Sequence, residues 1–311
     1  MSEFDLLQHV YSHNHALGPS ILIPPGDDMG MLRAAAHTHI LATVDQLIEG
    51  RHFERTTPLN LVGRKAIARS LSDVAAMAAR PIGTLVAVTL PAEFRNEQAL
   101  QLFEAMRDTA AAFNAPLFGG DIATHASANL PLCAAVTILA MPLDAAHAPR
   151  TRNAAQPGDR VYITGSVGGS LESGRHLSFT PRIDEAITLS QALGDQLHAM
   201  VDISDGLGRD ASHVARMSHV TIEIDAASVP THDDIPWLKA VAEGEDYELL
   251  FTAAPEAHVP PVINGVAVSC IGTVNARDAE EGGPFIIFID KGKRIAGDSL
   301  GWEHGSQERA R

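Results

Sequence analysis

The chain has 311 residues, of which 45% are hydrophobic and 20% charged, so it suits two globular domains of about 150 residues rather than one core. Its formal net charge of −15 excludes nucleic-acid binding through a basic face, which needs clustered Lys and Arg. No apolar run approaches the roughly 20 residues that span a bilayer. The opening MSEFDLLQHVYSH has no basic segment of the secretory kind, and Cys133 and Cys270 stand far apart in apolar surroundings. These features predict buried thiols and a cytoplasmic protein.

Residues 3–12 read as a short amphipathic helix. In ILIPPGDDMGML, Pro24, Pro25 and Gly26 force an extended loop that delivers Asp27 and Asp28. Residues 39–50 read as a strand with Asp45 at or near its end. Residues 58–80 show a long helical pattern, with Pro58 near the start, Pro81 just past the end, and Ser72 and Asp73 inside it. A strand at 83–91 and a helix at 96–114 follow. Residues 116–125 read as a short strand running into Gly119, Gly120 and Asp121, and 130–140 as another strand. The stretch 150–170 reads as linker, turn and new strand ending in the glycine loop TGSVGGS, which places a domain boundary near 145–155. The second half continues with a helix at 184–198, a strand at 200–203, a helix from 207, a strand near 219–224, a strand entered by GEDYELLFT (244–252), and strands near 266–271 and 285–289. The tail from 303 is polar. Strands and helices alternate in both halves, so the fold class is α/β or α+β.

The acids gather at breaks in apolar segments: Asp27, Asp28, Asp45, Asp73 and Asp121, then Asp202, Asp205, Glu245 and Asp246. Any one aspartate reads equally as a turn or cap residue. Their number and their glycine neighbours point further. Strand ends converge at one edge of an α/β sheet, where ligands bind. Several carboxylates there need hard cations, and oxygen-only ligands suit Mg²⁺ bridging to a nucleotide polyphosphate. In FGGD (118–121) adjacent glycines let backbone approach a phosphate. TGSVGGS lacks the P-loop lysine and the dinucleotide spacing. The 15 histidines form no zinc pattern; the pairs His13/His15 and His37/His39 read as surface residues. His52, seven residues after Asp45, is placed to meet a substrate near that acid. Covalent hydrolase chemistry has no motif to carry it.

Taken together, GDD (26–28), VDQLIEGRHF (44–53), GRKAIARSLSDVAAMAARP (63–81), FGGD, TRNAAQPGD (151–159), DISDGLGRD (202–210) and GEDYELLFT (244–252) resemble the thiamine-monophosphate kinases. These lie within the aminoimidazole-ribonucleotide synthetase-like ATP enzymes, and the resemblance spans nearly the whole chain. It implies an α/β (α+β) two-domain architecture. Residues 1–148 would form an N-terminal ATP/Mg-binding domain that pairs across a homodimer, and 149–311 a C-terminal α/β domain completing the site. It implies several Mg²⁺ ions, ATP as co-substrate, and direct γ-phosphoryl transfer to thiamine monophosphate, giving thiamine diphosphate and ADP. Asp28, Thr43, Val44, Asp45, Asp73, Asp121, Asp202 and Asp205 match its metal positions. Gly120, Asp121, Arg152 and Ser204 match its ATP contacts. His52, Glu245 and Trp302 match its substrate contacts. No general base is assigned, because the acceptor is already a phosphate. Val44 stands where the family has threonine, and Glu243 where it has a first glycine before EDYE. Both departures bear on the acceptor. They leave open a related enzyme with another acceptor, or a catalytically silent nucleotide or thiamine-phosphate binding protein.

Overall fold

A computed structural model describes residues 11–302, apart from 13, 37, 145–146, 233–234 and 278–282. The helix expected at 3–12, the tail from 303, and His13 and His37 of the two histidine pairs therefore lie at least partly outside the described residues.

The first half builds a sheet from β1 (Ile21–Ile23), β2 (Gly30–Ala35), β3 (Thr38–Ile48), β4 (Arg80–Leu90), β5 (Leu117–Thr124) and β6 (Cys133–Met141), in the order β1-β2-β3-β6-β4-β5. Only the β4–β5 pair in it is parallel. Helices α1 (Leu59–Ala76) and α2 (Asn96–Ala112) join its strands. The second half builds a sheet from β7 (Arg160–Thr164), β8 (Leu197–Asp202), β9 (Val220–Asp225), β10 (Leu249–Ala253), β11 (Val262–Ile263), β12 (Val266–Ala276), β13 (Ile286–Asp290) and β14 (Lys293–Ala296). Its order is β14-β13-β9-β12-β7-β10-β8, with β11 on β12, and only β13–β9 is parallel. Its helices are the single turn α3 (Ser170–Ser173), α4 (Ile183–Leu193), α5 (Leu207–Met217) and the single turn α6 (Trp237–Ala240).

Among the described residues the expected elements are present, with shifted bounds. α1 stops at Ala76, because Ala78 turns left-handed at φ 47° and the chain pairs from Arg80 onward. Pro81 therefore lies inside β4, at a register shift that spares its missing N–H from a regular ladder. The helix expected at 184–198 ends at Leu193, because β8 starts at Leu197. Two expectations are corrected. Gly119, Gly120 and Asp121 sit within β5, not in a loop after it. Cys270 is exposed and Cys133 half-buried; the register shift between Cys270 and Gly272 breaks the alternation of β12 and leaves Cys270 outside while Ile271 is buried.

α1 organises the molecule. Twelve of its residues, including Lys65, are buried, which a helix covered on one side only would not show. One apolar core holds Ile67, Leu71 and Val74 of α1 with Val86 and Val136 of the first sheet. The same core continues into Ile183, Leu189, Met200 and Phe251 of the second half. A second core, around Ile163, Val201, Val214, Ile222 and Phe288, belongs to the second half alone.

Candidate functional site

Because both sheets are largely antiparallel, strand ends do not gather the acids at one edge. Tertiary packing brings them in from unlike elements. Asp28 comes from the loop after Pro24-Pro25-Gly26, Asp73 from the last turn of α1, and Asp202 from the final position of β8. One carboxylate oxygen of each lies within 4.8 Å of the others. Asp45 lies within β3, three residues before its end at Ile48. It pairs with Val136 and Thr43 pairs with Ile138, so both point to the buried, helix-bearing face. From there the Thr43 hydroxyl donates to Asp73. The Ser72 hydroxyl donates to Asp202 at 2.6 Å.

The electrostatics follow from burial of like charges. Burial first, and then the charges of Asp45, Asp202 and Asp28, hold the Asp73 carboxyl well above the usual carboxylate range. Burial and Asp28 push Asp202 to about 7. Burial and Asp28 likewise push Asp27 to about 7. Arg152 answers part of this charge. Its guanidinium forks onto both oxygens of Asp28, and its backbone N–H donates to Asp27. One guanidinium faces three acids, so ionising Asp28, Asp73 and Asp202 together requires a further cation. The donor set is oxygen-only, crowded and anionic, and it fits a hard divalent cation such as Mg²⁺.

A pocket of about 460 Å³ opens beside this group, lined by Asp45, Gln46, Ile48, Arg51, His52 and Arg69. The His52 Nδ1 accepts the Ile48 N–H at 2.9 Å, which places the proton of the neutral ring on Nε2. Lys65, wholly buried, donates to the His52 carbonyl at 2.7 Å and to the Glu245 carboxylate. Glu245 is held at φ 69°, a conformation uncommon for a residue with a side chain. Its N–H donates to Ser204 O at 2.7 Å, and the Tyr247 N–H to Ile203 O at 2.7 Å, closing the 203–206 and 243–247 turns on each other. The Trp302 N–H donates to Asp205 O at 2.8 Å, and Arg51 lies over the Trp302 ring at 4.7 Å. Of the three expected acceptor contacts, His52 lines the pocket, while Glu245 is joined to it through Lys65 and Trp302 through Arg51.

Other expected site residues are placed differently. Asp121 pairs with Ala87 on edge strand β5, three strands from β3. That is about 14 Å across the sheet, on the face opposite Asp45, so within one chain the two do not meet. Gly120 is required by close packing: a Cβ there would sit 2.0 Å from Val86 O. The Val44 side chain points to the same outer face and is 64% exposed. Asp205 stands outside the three-acid group. Its N–H and that of Gly206 donate to Asp210, whose carboxyl is raised well above its usual range by burial, then by Asp205 and Asp202. TGSVGGS is a left-handed glycine loop, with φ 89° at Gly168 and 69° at Gly169. Its N–H groups are taken within the protein: Gly168 by both oxygens of Asp246 at 3.0 Å, Gly169 by Glu243. Glu243, expected beside the pocket, closes this loop instead.

Lys65, Arg69, Ser72 and Asp210 are the residues that sequence reasoning passed over. The signal for the first two was spacing. Lys65, Arg69 and Asp73 recur every four residues, so they share one face of α1. A polar stripe on a helix otherwise buried must face a polar site.

Models of AIR synthase related proteins match the chain in two parts, the N-terminal domain over residues 26–141 and the C-terminal domain over 156–283. The chain is 34% identical over 250 residues to the thiamine-monophosphate kinase of Rhodopirellula baltica, covering 76% of each. It is 30% identical to that of Escherichia coli K12, covering 97% of this chain and 98% of the relative. Among solved structures, AaThiL complexed with AMPPCP and TMP superposes with a TM-score of 0.80 at 26% identity, covering 97% of both chains.

Proposed function

The chain belongs to the AIR synthase related family, and from that membership and the geometry of its site we infer that it is a thiamine-monophosphate kinase. It transfers the γ-phosphoryl group of ATP to the phosphate of thiamine monophosphate, giving thiamine diphosphate and ADP. The observation that carries this reading is the juxtaposition of two unlike chemistries. An anionic group of Asp28, Asp73 and Asp202 adjoins a pocket with Arg51, His52 and Arg69 on its wall.

Phosphoryl transfer asks a protein mainly for positioning and charge neutralisation. Held by Asp28, Asp45, Asp73 and Asp202, Mg²⁺ would screen the phosphate charges and polarise the γ-phosphorus. Arg152, forked onto Asp28, and Ser204 are the residues we assign to the nucleotide. His52, Glu245 and Trp302 orient the acceptor, with Lys65 fixing Glu245 against the His52 carbonyl. The acceptor oxygen is already ionised at neutral pH, so no side chain has to remove a proton from it. A silent binding protein finds little support, because both departures from the family pattern are spent elsewhere. Val44 points off the site, and Glu243 closes a glycine loop.

The reading divides the chain at 148/149 and makes it a homodimer. Helices cover one face of the first sheet, while the other carries Val44 and Phe118 at 64% and 61% exposure. An apolar sheet face of this kind suits a partner. A second copy packed on that face would meet Asp121, which lies on it, so we assign Asp121 to a site shared between subunits. No helix among the described residues is long and apolar enough to cross a membrane.

The test is ADP release with ATP and Mg²⁺, using thiamine monophosphate, thiamine or no acceptor, with the product identified by mass. Thiamine diphosphate formed from the monophosphate alone is the expected result. ATP binding without any product would replace the kinase with a binding protein.

A further inference from the structure

Arg69 has no task in the reaction as described, yet its position is specific. It sits one helical turn before Asp73 and one after Lys65, and its guanidinium lines the pocket together with Arg51. Its Nη1 donates to the Gln46 carbonyl at 2.9 Å. Its Nη2 approaches Asp45 no closer than 3.8 Å, beyond hydrogen-bond range. Its Nε is buried and has no acceptor. Buried donors without partners are rare, and one beside a pocket marks a place for an acceptor atom. Burial weakens the guanidinium's hold on its proton. The surrounding acids, Asp45 and Glu245 among them, outweigh that and keep the group ionised.

Two guanidinium groups on one pocket wall select strongly among ligands. Thiamine carries a cationic thiazolium ring, which they repel. A phosphate monoester on the same molecule reverses the sign and offers oxygens that match the guanidinium fork. A site equipped with buried donors for one group rejects the analogue lacking it, because those donors are then left unpaired.

We propose that Arg69 is the specificity-determining residue for a phosphorylated acceptor. It donates to the phosphate of thiamine monophosphate and, left unpaired, disfavours thiamine. This rests on the kinase reading above.

The experiment is isothermal titration of wild type, Arg69→Gln and Arg69→Lys with thiamine monophosphate and with thiamine, each chain checked for folding by thermal melt. Arg69→Gln is expected to weaken thiamine monophosphate binding on the order of tenfold to a hundredfold, with thiamine binding unchanged or tighter. Arg69→Lys keeps the charge but not the fork, so it should retain part of the preference and lose at least several-fold of it. A monophosphate-to-thiamine affinity ratio that stays at the wild-type value in either folded variant overturns the assignment while leaving the kinase reading in place. A wild-type chain with no preference for the monophosphate overturns both.

Discussion

Asp246 illustrates how one buried carboxyl shapes the molecule's response to pH. It is placed by GEDYELLFT between two turns, where both oxygens accept the Gly168 N–H. Burial raises it to about 8 from an ordinary 3.8, against the lowering effects of that hydrogen bond and of Arg175. Between those values the folded chain keeps a proton that the unfolded chain has released. Stability therefore falls as pH rises through the window and levels off above about 8. Asp246→Asn keeps a carbonyl acceptor for the glycine loop and removes the titration. In urea unfolding at pH 5, 7 and 9, the variant is expected to gain on the wild type at each step. Parallel curves would mean that Asp246 is ionised in the folded protein. Asp27 and Asp202, both raised to about 7, contribute slopes of the same sign, which cancel in this comparison. Arg152 and Lys65 show the complementary case of cations buried against the acids they hold, where removing one partner strands the other.

At the scale of elements, β5 and α1 do the positioning. β5 is an edge strand laid tightly against β4, and Gly120 is the point of closest approach, with no room for a Cβ beside Val86 O. Gly120→Ala is expected to cost about 1–3 kcal/mol through forced backbone displacement. Gly18→Ala, with open space around it, should be close to neutral; chemical denaturation compares the two. Equal midpoints would show that β5 can move off β4 freely. α1 works differently. Its apolar residues join the cores of both halves, and its polar stripe of Lys65, Arg69, Ser72 and Asp73 faces the site. One rigid helix thus sets the distance between the acid group and the acceptor pocket.

At the scale of the whole molecule, the placement of Asp121 on the far edge and outer face of the first sheet makes the homodimer testable by complementation. Asp45→Asn and Asp121→Asn chains should each lose turnover by orders of magnitude while staying folded. If Asp121 serves the partner's site, mixed dimers carry one intact site each, and random reassociation restores about a quarter of wild-type activity. No recovery after subunit exchange would mean that each site is built within one chain. The amino-acid sequence by itself determined the element order, the excess of acids and the family motifs, because apolar periodicity, turn residues and short motifs are local properties. GDD, LSD, DISDGL and GEDYE could be read before any contact was known. Which acids meet was decided only by tertiary structure. Strand alternation puts Asp45 on the helix face and Asp121 on the other, a difference set by pairing partners and not by either residue's neighbours. Lys65 and Arg69 stayed hidden for the same reason: a charged residue on a helix looks solvent-facing until a second layer packs over it. The physical distinction is one of range. Local backbone preferences and hydrophobic period act over a few residues, while carboxylate crowding and buried ion pairs such as Lys65–Glu245 depend on segments 180 residues apart.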